Sequence, residues 1–327
     1  MNESAILTAL AKESPVTIHE ISRRTGLDPK TVKLTIQWLV GIGVPINTSA
    51  AGKLSVDRRI IPIDANKICQ AVGQFSETMA GRIDYFHQVD STNEHLLSLA
   101  ASSDIHKRVC IAEYMTAGRG RRKRKWLGSA YEDIFISLAW NVQGDLTKLS
   151  GLSLAVAVLV IEALKLFTPE EIQVKWPNDL LWNKRKLGGI LIESQGSTAV
   201  IGIGINCRLS AELKNEVRQP ATSLADMPNM SVDRNELICA LLLELNHGLR
   251  QFFAEGLVPF ADAWERAHAY SGQWLSVDSN ASDQGRAIGI DSGGALLLQR
   301  VDGTIASIRS GEVSVRPEAK YAKPVRE

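Results

Sequence analysis

The sequence predicts a multi-domain α/β protein, with a winged helix-turn-helix at residues 1–64, a central α+β domain at 65–270 and an SH3-like β-barrel at 271–327. Three patterns support this division. Short helical segments separated by turn residues come first, and strand-like apolar runs alternating with longer helices follow. After residue 272, short alternating runs are separated by Asp and Gly. A chain of 327 residues is long enough for two or three such domains.

The N-terminal region carries two clear helix starts. Thr17 and Glu20 form a capping-box pattern, and Gly26 ends the helix that follows. Asp28 then acts as an N-cap before Pro29, which suits the first position of a helix. We also expect a short helix at 5–10 and a hairpin wing formed by 44–46 and 53–56.

The helix after Pro29 is predicted to be amphipathic, with Val32, Ile36 and Leu39 on its buried face. Two helices joined by a tight glycine turn are typical of a helix-turn-helix, so we predict that the 18–37 pair binds DNA. A three-helix interaction module without DNA contacts is the alternative. The residues expected to contact DNA are Lys30, Thr31, Lys33, Leu34 and Gln37, with phosphate partners at Lys53, Arg58 and Arg59.

The central region predicts an ordered series of strands and helices. Segment 208–229 is polar and without periodicity, and we expect a mobile loop there. The region from 58 to 66 is expected to be a linker. Strands are predicted at 83–87, 109–112, 134–138, 174–182 (broken at Pro177), 187–193 and 200–206, with helices beginning at Glu94 and spanning 150–167, 233–255 and 259–268.

The segment 117–126, AGRGRRKRKW, joins two of these strands, and six of the eight residues 118–125 are basic. Glycines allow the backbone to approach a ligand closely, and arginine forks bind carboxylate and phosphate oxygens. A solvated loop, a localisation signal or a nucleic-acid patch would show the same composition. The net charge of +1 argues against a protein that coats nucleic acid in general.

Three other stretches are candidates for ligand contact. Ser91, Thr92 and Asn93 precede a helix and suit either its cap or a polar ring. Asn178 and Asp179 stand at the strand break, where they could hold a magnesium ion or a nucleotide. Alternate glycines in 200–206 leave room for a flat ligand or for close helix packing.

The four cysteines are far apart and lack CxxC spacing, which predicts free thiols in a reducing compartment. No apolar run approaches the ~18 residues of a membrane span, and the N-terminus lacks a signal-peptide pattern. We therefore expect a cytoplasmic protein.

Seven short motifs occur in an order and spacing that resemble the bifunctional bacterial biotin–protein ligases that also repress the biotin operon. The motifs are DSTN (90–93), AGRGR (117–121), RKW (124–126), KWPND (175–179), RKL (185–187), GIL (189–191) and GIGIN (202–206). The resemblance extends over nearly the whole chain. It implies a class II synthetase-like central domain, with a mixed sheet and helices. It also implies that biotin and ATP form biotinyl-5′-AMP, and that biotin is then passed to a lysine of a biotin carboxyl carrier protein. Mg²⁺ would assist, and the adenylate would act as corepressor for a homodimer that binds operator DNA.

The resemblance also implies roles for individual residues. Catalytic roles fall to Lys186, Arg119 and Lys175, and Asp179 would be a magnesium ligand. The expected biotin contacts are Ser91, Thr92, Asn93, Thr116, Gly118, Arg119, Gly120, Arg121, Lys186, Gly188 and Gly204. The expected ATP or adenylate contacts are Arg121, Arg124, Trp126, Asn178 and Asn206.

Four positions or segments depart from the family pattern. Thr116 stands where the family usually has glutamine, and Lys123 replaces a common third glycine of the basic loop. Leu54 and Ser55 stand where the wing usually has glycine and tyrosine, and segment 208–229 lacks tryptophan. A biotin-sensing repressor without ligase chemistry and a lipoate-type ligase are the alternative functions. The 311–313 segment, GEV, resembles the family's ending, where it would help to close the ATP and carrier sites or act only as a structural cap.

Overall fold

The computed structural model describes residues 2–56, 60–142, 146–217, 219–230, 233–277, 280–309 and 315–317. Within these ranges the strands form a two-stranded sheet, a seven-stranded sheet and a five-stranded sheet, in that order along the chain. None of the described helices is both long and apolar enough to cross a membrane.

The N-terminal elements are three helices followed by a hairpin. They are α1 (Asn2–Lys12), α2 (Ile18–Thr25), α3 (Pro29–Gly41), β1 (Ile46–Thr48) and β2 (Leu54–Val56), and β1 pairs antiparallel with β2. The predicted capping box is present, since the Thr17 side chain accepts from the Glu20 amide and Glu20 accepts from the Thr17 amide. Asp28 caps α3 as predicted.

The core of this part is built from one face of each helix. Val32, Ile36 and Leu39 are buried as predicted, whereas Leu34 is 56% exposed. Lys30, Lys33 and Gln37 are also exposed, and Thr31 is half-buried with its hydroxyl donating to Asp28. Arg58 and Arg59 lie outside the described residues.

The central sheet is mixed, as predicted. Its strands run in the order β3-β4-β5-β9-β8-β7-β6, with β3 and β4 parallel and all other neighbours antiparallel. Their bounds are β3 (Ile83–Phe86), β4 (Val109–Ala112), β5 (Ile134–Asn141), β6 (Gln173–Lys175), β7 (Asp179–Trp182), β8 (Arg185–Gln195) and β9 (Thr198–Ile205).

Helices cover both faces of this sheet. The main core includes α7, α9 and alternate strand residues such as Ile111, whereas Leu96 of α6 packs against Cys110 and Val200 on the other face. The helices are α4 (Ala65–Gly73), α5 (Glu77–Ala80), α6 (Thr92–Ala100), α7 (Leu152–Lys165), α8 (Ala211–Glu216), α9 (Arg234–Glu255) and α10 (Val258–Ala267).

Two sequence expectations were wrong in this region. Helix α6 begins at Thr92 and not at Glu94, because Ser91 is its N-cap and accepts from the Glu94 amide. Segment 208–229 is not an irregular loop, since it contains α8 and a short 3₁₀ turn at Leu224–Asp226. It also bonds to the start of β8, where Lys186 pairs with the backbone of Pro220 and Thr222, and this tertiary contact leaves no periodic trace in the sequence.

The C-terminal sheet is antiparallel in the order β13-β12-β11-β10-β14. Trp176, which is buried, donates from Nε1 to the Gly294 carbonyl at 3.0 Å and so ties this sheet to the central part of the chain. Segment 311–313 lies outside the described residues. The strands are β10 (Trp274–Val277), β11 (Asn280–Ile290), β12 (Leu296–Gln299), β13 (Ile305–Ile308) and β14 (Val315–Pro317).

The N-terminal elements and the central sheet share buried side chains. Ala130 and Tyr131, which follow the basic segment, belong to the apolar cluster formed by α1, α2 and α3. The Tyr131 hydroxyl lies 2.9 Å from Nδ1 of His87, whose Nε2 is 3.4 Å from Glu3 of α1.

A buried ion pair fixes the segment expected to be a linker. Glu113 and Arg234 are 0% and 5% exposed, and their charged groups are 2.7 Å apart. Glu113 also accepts from the Ile63 amide, and Arg234 donates to the Ile61 carbonyl. Ile60 and Ile63 are therefore buried, whereas the Ile61 side chain is 45% exposed, and the described part of the expected linker is anchored to the central part of the chain.

We expect Glu113→Gln to lower the free energy of unfolding by about 3–5 kcal/mol, because the Arg234 guanidinium would stay buried without its counter-charge. Urea denaturation measures this loss. Glu162→Gln, in the exposed pair with Lys165, is the control and should change stability by less than ~1 kcal/mol. A loss in Glu113→Gln as small as that of the control would contradict the role of the buried pair.

Candidate functional site

A cavity of about 680 Å³ opens over β8 and β9 beside the basic segment. It brings together most of the predicted site residues, although they come from separate parts of the chain. Those that line it are Ser91, Thr92, Asn93, Arg119, Gly120, Arg121, Arg124, Trp126, Lys175, Asn178, Asp179, Lys186, Gly204 and Asn206.

The basic segment is folded back on itself as a hairpin, which we call the basic hairpin (residues 118–126). The Gly118 carbonyl accepts from the Trp126 amide at 2.8 Å, and the Gly120 amide donates to the Arg124 carbonyl at 2.7 Å. A Cβ on Gly118 would lie 2.9 Å from the Trp126 carbonyl oxygen, so glycine is required for this close approach. The tip, Arg121–Lys123, is a 3₁₀ turn.

The tip of the basic hairpin is backbone-strained and strongly cationic. Arg122 and Lys123 adopt φ values of 56° and 57°, in the left-handed region that favours glycine. Both side chains are exposed and line the cavity. Lys123 therefore holds, with some strain, a backbone conformation that glycine would adopt freely, and it adds a positive charge.

The floor of the cavity is bare backbone from β8 and β9. The Trp126 ring lies directly on it, because a Cβ on Gly204 would be 2.5 Å from the ring and one on Gly189 would be 3.0 Å away. Gly189 pairs with Gly204 across the two strands. The alternate glycines thus do accommodate a flat ring, and in this structure the ring belongs to the protein.

Asn93 occupies the neighbouring position on the same glycine face. A Cβ on Gly202 would lie 2.3 Å from Asn93 Oδ1. The Asn93 amide nitrogen donates to Glu193 at 2.8 Å, and Ser137 Oγ lies 2.6 Å from Asn93 Oδ1. Gly202, Ser137 and Glu193 were absent from the predicted site residues, and only the alternating glycine pattern could have suggested the first of them.

The cations in the cavity face protein carboxylates. Arg119 Nη2 is 2.6 Å from Glu94 and 3.4 Å from Glu193. Lys186 Nζ is 2.8 Å from Asp179 and 5.1 Å from the centre of the Trp126 ring. An anionic ligand would exchange these partners for its own oxygens.

Arg121 is the most enclosed cation at the hairpin tip. It donates from Nη1 to Asn178 Oδ1 at 3.3 Å. Burial lowers the pKa of its guanidinium, and the adjacent positive charges of Arg122 and Arg124 act in the same direction while Asp179 opposes them. The guanidinium stays charged near neutral pH, since its ordinary pKa is far above that range.

Asp179 does not form a ready-made magnesium site. Its two oxygens are used by Lys186 at 2.8 Å and by Gln219 at 3.4 Å. Within the described ranges, no group of three or more His, Cys, Asp or Glu side chains is arranged to hold a metal ion. A magnesium ion would therefore have to be held largely by ligand phosphates, as is common for this ion.

Three predicted biotin contacts are not among the residues that line the cavity. The exposed Thr116 hydroxyl donates to Asp90 at 2.7 Å, and Gly118 is buried within the basic hairpin. Gly188 is packed between strands, because a Cβ there would lie 2.7 Å from the Gly204 carbonyl oxygen. Asn206 lines the cavity, and its side chain also donates to the carbonyls of Lys186 and Thr222.

Two family models and several known proteins are similar to this chain. The chain matches the Biotin/lipoate A/B protein ligase family over residues 85–210 and the Biotin protein ligase C terminal domain over residues 278–316. It is 33% identical over 310 residues to the "Bifunctional ligase/repressor BirA" of Escherichia coli (strain K12), which covers 92% of this chain and 93% of that protein. The chain belongs to the biotin protein ligase family.

Two further proteins are similar to this chain, one in sequence and one in structure. The "Biotin--[acetyl-CoA-carboxylase] ligase" of Mycobacterium tuberculosis is 39% identical over 176 residues, covering 52% of this chain and 65% of that protein. A solved biotin protein ligase from Aquifex aeolicus, in complex with biotin and ATP, superposes with a TM-score of 0.63 at 28% identity. That match covers 72% of this chain and 99% of the other.

We expect Gly204→Ala to displace the Trp126 ring and loosen the basic hairpin, because the new methyl group would lie within 2.5 Å of the ring. Hydrogen–deuterium exchange of peptides covering 118–126 should become faster. Gly41→Ala is the control, since no atom lies within 4 Å of its Cβ position. Unchanged exchange of the hairpin in Gly204→Ala would show that the ring does not depend on the glycine floor.

Proposed function

We propose that this chain activates biotin with ATP to give biotinyl-5′-AMP and pyrophosphate, and then transfers biotin to a lysine of a biotin carrier protein. Membership of the biotin protein ligase family supports the reaction. The observation that carries the proposal is the convergence of Arg119, Arg121, Lys175 and Lys186 on one cavity with a glycine floor.

The first step brings two anions together. A biotin carboxylate oxygen attacks the α-phosphorus of ATP, a bond to that oxygen forms, and pyrophosphate leaves with the electron pair of the broken P–O bond. Positive side chains lower the repulsion between the reactants and stabilise the charge on the phosphorus oxygens. Lys186 and Arg119 would do this once the ligand replaces Asp179, Glu94 and Glu193 as their partners.

In the second step, the neutral amine of the carrier lysine attacks the acyl carbon of the mixed anhydride. An amide forms, AMP leaves and the amine loses a proton. The anhydride is already reactive, so the protein needs to hold it and exclude water until the carrier arrives. Closure of the basic hairpin over the adenylate would serve that purpose.

We assign the lining residues to the two parts of the adenylate. Biotin would lie near Ser91, Thr92 and Asn93, and the nucleotide near Asn178 and Asn206. Arg121, Arg124 and Trp126 of the basic hairpin would cover the adenylate. Mg²⁺ would enter with the ATP phosphates and approach Asp179. Thr116, Gly118 and Gly188 remain predicted biotin contacts, although they lie outside the cavity lining of this structure.

Lys186→Ala should reduce kcat/KM for carrier biotinylation by about 100-fold, since a preorganised charge at the reacting phosphate would be lost. The assay combines the protein with biotin, Mg-ATP and a biotin carrier domain, and mass spectrometry detects the product. Lys165→Ala, an exposed lysine on α7, is the control and should retain wild-type activity.

The same assay separates the alternatives. Tight biotin binding without any carrier product in the wild type would favour a sensor without ligase activity. A mass increase with lipoate but not with biotin would favour a lipoate-type ligase.

We further propose that the chain is an adenylate-dependent repressor of biotin biosynthesis. The named function of the Escherichia coli relative and the exposed face of α3 support this. In this proposal, residues 1–64 form a winged helix-turn-helix, 65–270 form the catalytic domain and 271–327 form an SH3-like barrel. Adenylate-bound chains would pair as a homodimer on palindromic operator DNA, in the cytoplasm where ATP and carrier protein are also present.

Lys33→Ala should weaken operator binding and reduce the slope of log K against log salt concentration by about 1, because one phosphate contact would be lost. Fluorescence anisotropy with operator DNA, in the presence of biotin and ATP, measures both quantities. Lys165→Ala should leave them unchanged. An unaltered salt slope in Lys33→Ala would remove this face of α3 from the proposed DNA interface.

A further inference from the structure

We propose that Glu193, Asn93 and Ser137 form a hydrogen-bond relay that fixes the hydroxyl of Thr92 as an acceptor for an N–H group of the ligand. This inference rests on the proposed function, since the ureido ring of biotin offers two N–H donors. The relay residues act through Thr92 and are positioning residues. The three relay residues and Thr92 come from β8, α6 and β5, so the tertiary fold brings them together.

The orientation of the Asn93 amide is fixed at one end of the relay. Its nitrogen lies 2.8 Å from Glu193 Oε2 and 3.3 Å from the Leu191 carbonyl oxygen, which are both acceptors. A flipped amide would place an oxygen against these two oxygens. Arg119 lies 3.4 Å from the same Glu193 oxygen and adds a positive charge beside it. Asn93 Oδ1 must therefore point towards Ser137.

The direction of the next two hydrogen bonds follows from counting hydrogens. Ser137 Oγ lies 2.6 Å from Asn93 Oδ1 and 2.7 Å from Thr92 Oγ1. Ser137 has one hydroxyl hydrogen, and Asn93 Oδ1 has none, so Ser137 donates to Asn93. The bond between the two hydroxyls must then use the hydrogen of Thr92. Ser137 is 0% exposed, so no solvent molecule competes for its hydrogen.

The hydroxyl hydrogen of Thr92 is therefore already used in the bond to Ser137. Towards the cavity that it lines, the Thr92 hydroxyl can only accept a hydrogen bond. Besides Ser137, its hydroxyl has the Met115 sulfur as a neighbour at 3.8 Å, which is a weak partner. A ligand N–H would complete the hydrogen bonding of Thr92, whereas a ligand oxygen at that position would face another acceptor. Such a site discriminates strongly against a ligand that lacks the hydrogen.

The glycine at 202 is part of the same arrangement. Because a Cβ there would lie 2.3 Å from Asn93 Oδ1, a larger residue would push the amide away from Ser137. The bare backbone of β9 is thus what allows the relay to span from β8 to Thr92.

The test is a double-mutant cycle on Thr92 and Ser137, read out as pyrophosphate release with biotin and ATP. Ser137→Ala should raise KM for biotin about fivefold and leave kcat within about twofold, because Thr92 becomes free to rotate its hydrogen towards the ligand. Thr92→Val should raise KM by at least as much. The double variant should match Thr92→Val within about twofold, since Ser137 acts only through Thr92.

The readout that a purely structural role would not change uses two biotin analogues, each with one ureido N–H replaced by a ring oxygen (a cyclic carbamate). The KM of the analogue whose ring oxygen faces Thr92, relative to the KM of biotin, should fall in Ser137→Ala, because the Thr92 hydroxyl can then donate to that oxygen. Glu193→Leu releases the Asn93 amide and should shift this ratio in the same direction, which keeps the test available if Ser137→Ala does not fold. Ser98→Ala, whose exposed hydroxyl donates to the His95 carbonyl, is the control and should leave the ratio unchanged.

Additive KM effects in the double variant, or an unchanged analogue ratio in Ser137→Ala and Glu193→Leu, would overturn the relay while carrier biotinylation by the wild type still supports the proposed function. A wild type that forms no adenylate and binds no biotin would overturn both.

Discussion

The close approach of two side chains to a glycine backbone is the constraint on which the site depends. Trp126 and Asn93 lie on Gly204 and Gly202 at distances that no Cβ would permit. One contact holds the basic hairpin against the sheet, and the other places the amide that orients Ser137. Strands β8 and β9 therefore present bare backbone at their glycines. The polar groups of the cavity come from Lys186 and Glu193 of β8 and from side chains of other elements.

Charge balance gives the cavity a second property. Arg119 and Lys186 are each paired with a carboxylate, so the local excess of positive charge is concentrated at the exposed hairpin tip. Paired cations cost less to keep partly buried than isolated ones. A phosphate-bearing ligand would then exchange partners with groups that are already in place, which limits the reorganisation needed on binding.

Local sequence signals predicted most of the fold, because caps, turns and periodicity act within a few residues. Thr17, Gly26 and Asp28 set the bounds of α2 and α3, and the apolar runs mark the strands of the central sheet. The mixed pairing of those strands was expected only from the family resemblance. Most of the predicted site residues that lie in recognised motifs line one cavity, and Gly118 is an exception. Ser137 and Glu193 carried no such signal, since their importance arises from neighbours about 44 and 100 residues away in the chain. The order within 208–229 was missed for the same reason.

Because Tyr131 packs into the N-terminal apolar cluster, the N-terminal helices and the central part of the chain share one core. The turn that precedes β5 supplies a fully buried ring, Tyr131, to the core formed by α1, α2 and α3. Cutting the chain after residue 64 would expose this ring and leave the hydroxyl of Tyr131 and the imidazole of His87 facing water. The part of the chain after residue 64 is thus not self-contained, and cutting there would leave an exposed apolar surface at Tyr131, a few residues after the basic hairpin.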